Sequence, residues 1–211
     1  MRTAKLDDRS VFSLCYADYE KQTANMRQHI IDVARTLVTH KGYSAVGLAE
    51  IVKAAGVPKG SFYYYFQSKE EFAEALLEHY FSHYLIQVEE QLCGSEPARE
   101  RLLRYFAFWR ATQGADLPES KCLVVKLGAE VCDQYDSMRS VLANGTREII
   151  QKITACIHQG QEDQSLPAGV DAEALAEELY QLWLGASLMA KIHTPEQAFD
   201  KAMSATKRLL A

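Results

Sequence analysis

Between Leu48 and Phe66 the chain spells two short helices separated by a stop, and this punctuation constrains the fold more than any other feature. Leu48, Ile51, Val52 and Ala55 recur at the i, i+3, i+4, i+7 spacing of an amphipathic helix. Gly56 follows the last of them, where a left-handed residue closes a helix, and Pro58, lacking an N–H, suits the opening of the next. In that second helix Phe62 and Phe66, four apart, anchor one face. Lys59, Ser61, Tyr63, Tyr64 and Tyr65 crowd the other side and the N-terminal end. Such a face offers donors, aromatic edges and a cation, which a helix that reads DNA requires.

The surrounding chain reads as helix throughout. Ile30, Val33, Ala34, Leu37 and Val38 give a first helix from about Met26 to His40, ended by Gly42. Residues 1–25 before it read as an arm of no clear pattern, a mobile end ahead of a basic extension that touches DNA. Gly47 stands at the N-cap of the next helix and brings no side-chain oxygen. Ser68-Lys-Glu-Glu71 fits a capping box for a long fourth helix reaching toward Cys93. Beyond it the pattern gives a fifth helix to about Thr112, a loop over 113–120, and a sixth from about Ser120 to Gln134. A seventh runs from Asp136 to Gln159, an eighth starts near Asp171, and a ninth follows Pro195. The fold class is all-α, divided into an arm (1–25), a helix-turn-helix head (26–70) and a helical body (71–211).

Charge separates head from body. Residues 21–69 hold seven Lys and Arg against two acids, a surplus of five positive charges. The whole chain carries −5, so the remainder carries −10. A basic head on an acidic body attracts phosphate at one end only. No apolar run approaches the roughly 18 residues of a membrane span, and no export signal opens the chain, so a cytoplasmic location is expected. The five cysteines lack close CxxC pairing, which disfavours a disulfide framework or a zinc site. His79 and His83 lie four apart on one helix without an evident third ligand, so neither a metal nor another cofactor is expected.

The run Gly56-Val-Pro-Lys-Gly-Ser-Phe-Tyr-Tyr-Tyr-Phe-Gln-Ser-Lys-Glu-Glu-Phe72 resembles the signature of the tetracycline-repressor (TetR) family of bacterial transcription factors. The resemblance covers about residues 25–75 by motif and the rest by layout. It implies a homodimeric, cytoplasmic repressor with a three-helix DNA-binding head on a palindromic operator, and a body that binds a small inducer and dimerises. Carried over by motif, Lys59, Gly60, Ser61, Tyr63, Tyr64 and Lys69 match DNA-contacting positions. The eighth helix, broadly apolar and bearing Trp183, Gly185, Ala186 and Ser187, is the expected dimer face together with the ninth, with burial inside its own subunit as the plain alternative.

A second constellation lies at Lys121-Cys-Leu-Val-Val-Lys126. Cys122 is expected in the first turn of the sixth helix, where the helix dipole, Lys121 and Lys126 would all favour thiolate. The segment, with Leu182–Ile192, also resembles an electrophile-sensing and an acrylate-responsive branch of the family. The first implies a sensor cysteine at Cys122 linked to a lysine at Lys191. The second implies reversible binding of a small unsaturated acid, with Lys126, Lys191, Arg110 or a tyrosine as partner to its charge, beside Phe106 and Trp109. An inert buried cysteine and a snorkelling Lys191 are the plain structural alternatives. A cysteine-dependent enzyme and a helical adaptor that binds no DNA are the competing functions. No Gly-rich phosphate loop, Ser-His-Asp spacing or metal motif favours the enzyme, and the clustered positive charge disfavours the adaptor.

Overall fold

The computed structural model describes residues 8–114 and 122–211, the first thirteen of them as backbone only. Among the described residues there are nine helices and no strand. They are α1 (Asp8–Lys41), α2 (Leu48–Ala54), α3 (Lys59–Tyr65), α4 (Lys69–Leu92), α5 (Ala98–Gly114), α6 (Leu123–Val131), α7 (Asp136–Glu162), α8 (Ala172–Ile192) and α9 (Pro195–Leu209). Two boundaries differ from expectation. The arm expected over 1–25 is helix from Asp8 onward, continuous with the helix expected from Met26. The sixth helix starts at Leu123 instead of near Ser120, so Cys122 is its N-cap and not part of its first turn. Much of the loop expected over 113–120, and Lys121 with it, lies outside the described residues.

Local chemistry accounts for the head. Gly56 takes φ +67, Val57 N–H donates to Val52 C=O at 3.0 Å and Gly56 N–H to Lys53 C=O at 3.2 Å. That pair of bonds closes α2, and a side chain would strain the left-handed backbone at Gly56. Pro58 then caps α3. Under α3, Phe62, Phe66 and Phe72 form a triangle of rings with centroids 5.1–5.5 Å apart, all fully buried. Arg27 of α1 lays its guanidinium 4.8 Å over Phe66. Ile30, Ile31, Ala34 and Val38 form the buried face of α1.

Ser68 Oγ accepts from Glu71 N–H at 3.0 Å, and the Glu71 carboxylate reaches back to Gln67 N–H at 2.7 Å. This reciprocal cap, one residue wider than a standard box, starts α4 at the head's edge. From there α4 runs 24 residues into the body. The body core is aromatic: Phe106 stacks on Trp183 at 5.0 Å, and Trp183 on Phe199 at 5.9 Å. Trp109 and Trp183 each place the indole N–H on a hydroxyl 2.9 Å away, Ser187 and Thr206 respectively, so neither buried donor is orphaned.

Candidate DNA-reading head and sensing body

The outer face of α3 carries the head's chemistry. Tyr63 and Tyr64 are 54% and 57% exposed, a high figure for tyrosines on a seven-residue helix whose Phe62 is wholly buried. Lys59 and Gly60 are exposed beside them and Ser61 is half-buried. Four of the predicted contacts, Lys59, Gly60, Tyr63 and Tyr64, therefore face solvent, while Ser61 and Tyr65 are half-buried. Lys69 stands apart. Its ammonium sits 4.4 Å over the Tyr43 ring and donates to Tyr43 C=O at 3.3 Å, so it clamps the α1–α2 turn. Gly47 caps α2 without a side-chain bond, as its sequence dictates.

In the body, Cys122 is 6% exposed. Burial raises its thiol pKa, against the thiolate expected from the helix dipole. Opposing that, the Val125 and Val124 amides, the Tyr80 hydroxyl and the charge of Lys191 each favour thiolate. No cap hydrogen bond of normal geometry reaches the sulfur. The expectation failed because it weighed nearby charge and could not see that the position is enclosed.

The predicted sensor residues are only partly brought together. Lys191 is exposed on the last turn of α8, yet its charge acts on Cys122. Trp109 borders the same region, with its ring 5.6 Å from Tyr180. Phe106 belongs to the Trp183 stack. Arg110 pairs with Asp200 of α9 at 2.8 Å on the surface. Lys126 donates to His40 C=O at 3.1 Å, at the end of α1. The i, i+4 spacing itself holds, with Lys126 N–H donating to Cys122 C=O at 3.1 Å, but the Lys126 ammonium is drawn to His40 and does not act on the thiol.

Sequence reasoning missed what α6 does at its other end. The Glu130 carboxylate accepts from Tyr43 N–H at 3.2 Å and from Ser44 N–H. Burial raises the Glu130 pKa, but the Ser44 and Tyr43 hydrogen bonds outweigh it and hold the group below the usual carboxylate range. Gly42 is part of the same fit. Its φ is +89, and a Cβ there would stand 2.8 Å from a Glu130 oxygen. Tyr43 also meets Tyr135, the N-cap of α7, edge to face at 5.5 Å. Thus α6 joins Cys122 to the turn that precedes the reading helices.

A third grouping lies between α1 and α4. His79 sits 3.2 Å from Asp32, 2.9 Å from Gln28 Nε2, and 4.4 Å ring to ring from His83. Among the described residues, no group of three or more His, Cys, Asp or Glu could hold a metal ion. None of their helices is long and apolar enough to cross a membrane.

Residues 30–76 match the family described as bacterial regulatory proteins, tetR family, and 98–206 match the tetracyclin repressor-like C-terminal domain. The chain belongs to the TetR family. It is 37% identical over 186 residues to the HTH-type transcriptional repressor NemR of Escherichia coli (strain K12), covering 88% of this chain and 94% of that one. It is 38% identical over 168 residues to the transcriptional regulator AcuR of Cereibacter sphaeroides, covering 78% and 76%. The crystal structure of Escherichia coli NemR in its reduced form superposes with TM-score 0.83 at 36% identity, over 89% of this chain and 97% of that one. This TetR-family chain is accordingly a DNA-binding transcriptional repressor and not an enzyme.

Proposed function

We propose that the protein is a homodimeric repressor that leaves a palindromic operator when Cys122 reacts with a small electrophile. The observation that carries this reading is the placement of α6. Its N-cap is the sensing thiol, and eight residues on, about 12 Å along the axis, Glu130 grips the backbone of Tyr43 and Ser44. A group added to a buried sulfur needs room, and close-packed interiors transmit such strain through rigid elements. Displacing α6 moves Glu130 and Lys126, and with them the turn that positions α2 and α3.

Dimerisation fits the outward side of α8. Leu188, Met189 and Ile192 are 49%, 43% and 62% exposed, and Gly185, one turn before Leu188 and Met189, permits close approach to the open groove these three line with α9. Two heads about one helical turn of DNA apart, roughly 34 Å, bind two half-sites, and a changed separation releases them. Tenfold release requires only about 1.4 kcal/mol of differential binding. Reversible binding of an unsaturated acid is the weaker reading, since Lys126 and Arg110 spend their charges elsewhere, which leaves it Lys191 at the exposed end of α8 and the tyrosines.

The test is an operator shift with DNA flanking the protein's own gene, before and after treatment with N-ethylmaleimide, alongside the mass of the Cys122 peptide. Release accompanied by a Cys122 adduct is expected. Release of a Cys122→Ser variant by the same treatment would remove the thiol from the mechanism.

A further inference from the structure

Where α4 ends and α5 begins, an open cavity of about 410 Å³ is lined by Arg101 of α5, Lys152, Cys156 and Gln159 of α7, and Leu92 and Cys93 at the end of α4. Arg101 is 8% exposed, and its donors are unevenly used. Nε donates to Glu96 C=O at 3.1 Å, and Nη1 donates to Leu92 C=O at 2.7 Å and to Gln159 Oε1 at 2.8 Å. Among the described residues Nη2 donates to no acceptor. Arg99 and Arg104 on either side pair with Glu100 and Glu96, whereas Arg101 has no carboxylate partner among those residues. The one side-chain polar atom there that is both sealed from solvent and without a partner is Thr39 Oγ1, so Nη2 opens onto the cavity.

Helix capping explains only part of this arrangement. Arg104 donates to Gln91 C=O and Cys93 C=O, and Arg101 to Leu92 C=O, so the last carbonyls of α4 are covered. That role uses Nε and Nη1. It leaves Nη2, on a buried charge with no counter-ion, and such a charge is costly until something pairs with it. Two further donors border the same space. Gln159 gives its Oε1 to Arg101, which leaves the Nε2 amide free to donate. Lys152 is held at 3.0 Å by Glu89, whose side chain is 69% exposed, and a pair so open to water yields readily to a competing anion. Burial pushes the Cys156 thiol up to about 11, so it brings no negative charge into the cavity at neutral pH.

We propose that this cavity is a binding site for a small oxyanion, a carboxylate or phosphate group held by Arg101 Nη2, Gln159 Nε2 and the Lys152 ammonium. Hydrogen bonds from a guanidinium or ammonium to such oxygens are the strong, charge-assisted kind, and Leu92 and Cys156 offer apolar surface to a short carbon body behind the charged group. The bound anion supplies the counter-charge that Arg101 lacks and joins α5 to α7 beneath the end of α4. The site is remote from the DNA-reading face, since the 24 residues of α4 between them span about 35 Å. It also stands independently of any reaction at Cys122.

Occupancy is read at Cys93, whose exposed thiol borders the cavity. The full-length protein is labelled with N-ethylmaleimide at increasing sodium phosphate or sodium acetate, sodium chloride holding the ionic strength constant, and the Cys93 peptide is followed by mass. Labelling is expected to slow saturably, by about threefold when the anion reaches about twice its Kd. Arg101→Lys keeps the charge and removes Nη2, and Lys152→Gln removes the second cation; each should raise the anion Kd about tenfold or more. Lys59→Ala, on the head, should leave it unchanged. Protection by phosphate, by acetate or by both identifies the group accepted and upholds the site. Labelling of Cys93 that ignores both anions, or protection that survives intact in Arg101→Lys and Lys152→Gln, overturns it. Should Arg101→Lys fail to fold, Lys152→Gln decides alone.

Discussion

The joint between α6 and the head makes the most exposed prediction. Glu130→Ala removes a carboxylate that accepts from two backbone amides, Tyr43 at 3.2 Å and Ser44, and leaves both donors to solvent. A hydrogen bond to a charged group contributes about 1.5–3 kcal/mol when well buried. Glu130 is only half-buried, so solvent screening reduces each bond to about 1 kcal/mol and the pair to about 2 kcal/mol. That sum bounds the coupling α6 can pass through this contact, which corresponds to about 30-fold in operator affinity. The ratio of operator Kd values with and without N-ethylmaleimide, read by anisotropy of labelled DNA, should fall toward unity in Glu130→Ala. Glu130→Gln, which keeps one acceptor oxygen, should fall between. Because the folded carboxyl is held below its ordinary value, its contribution is complete above the ordinary carboxylate pKa. It is lost only as pH falls through the depressed folded value, so neutral assays sample the intact joint. An unchanged ratio at unchanged basal affinity would refute transmission through Glu130.

Three further outcomes are expected. Lys59→Ala should lower the slope of log affinity against log salt by about one charge, whereas Lys69→Ala should change it less and lower thermal stability, because Lys69 is committed to Tyr43; a salt titration of both variants separates the two roles. The N-ethylmaleimide rate at Cys122 should keep rising above pH 9, the ordinary thiol value, since burial pushes this thiol higher, and a plateau below pH 9 would contradict the enclosed site. His79 is held below the ordinary His pKa by burial and by His83 and Arg35, against the pull of Asp32, so its neutral form stabilises α1 on α4. That stability is complete above about pH 6.5 and declines as pH falls through the ordinary value, because the unfolded chain takes up the proton first. Denaturant melts at pH 7.5 and 5.5 should show a smaller acid loss in His79→Gln.

What the sequence made legible was local. Gly56 and Pro58 mark the turn because backbone chemistry at two residues sets it, and Ser68 and Glu71 mark the start of α4 for the same reason. The TetR-like architecture follows from such signals together with helical periodicity. The body's chemistry was legible only in part, since its determinants are distant in sequence. Glu130 finds partners 86 and 87 residues upstream, and those partners are backbone N–H groups, which every residue but proline possesses and no motif can flag. The tyrosines that bear on Cys122 come from α4 and α8, each sitting on an otherwise ordinary helical stripe.

Burial also reversed one inference outright. Helix dipole and neighbouring lysines argued for thiolate at Cys122, but those effects are set by nearby sequence, whereas desolvation is set by the whole fold and is the larger influence here. The reversal changes what a sensor at this position must be. An exposed, acidified thiol would react with any soft electrophile, and selectivity would have to come from elsewhere. An enclosed thiol kept protonated reacts slowly until a ligand brings its own electrophilic carbon into place, so selectivity resides in the groups that hold the ligand. Reactivity at Cys122 should then depart from intrinsic electrophile strength, and ranking several electrophiles by rate against this protein and against free cysteine would reveal the difference.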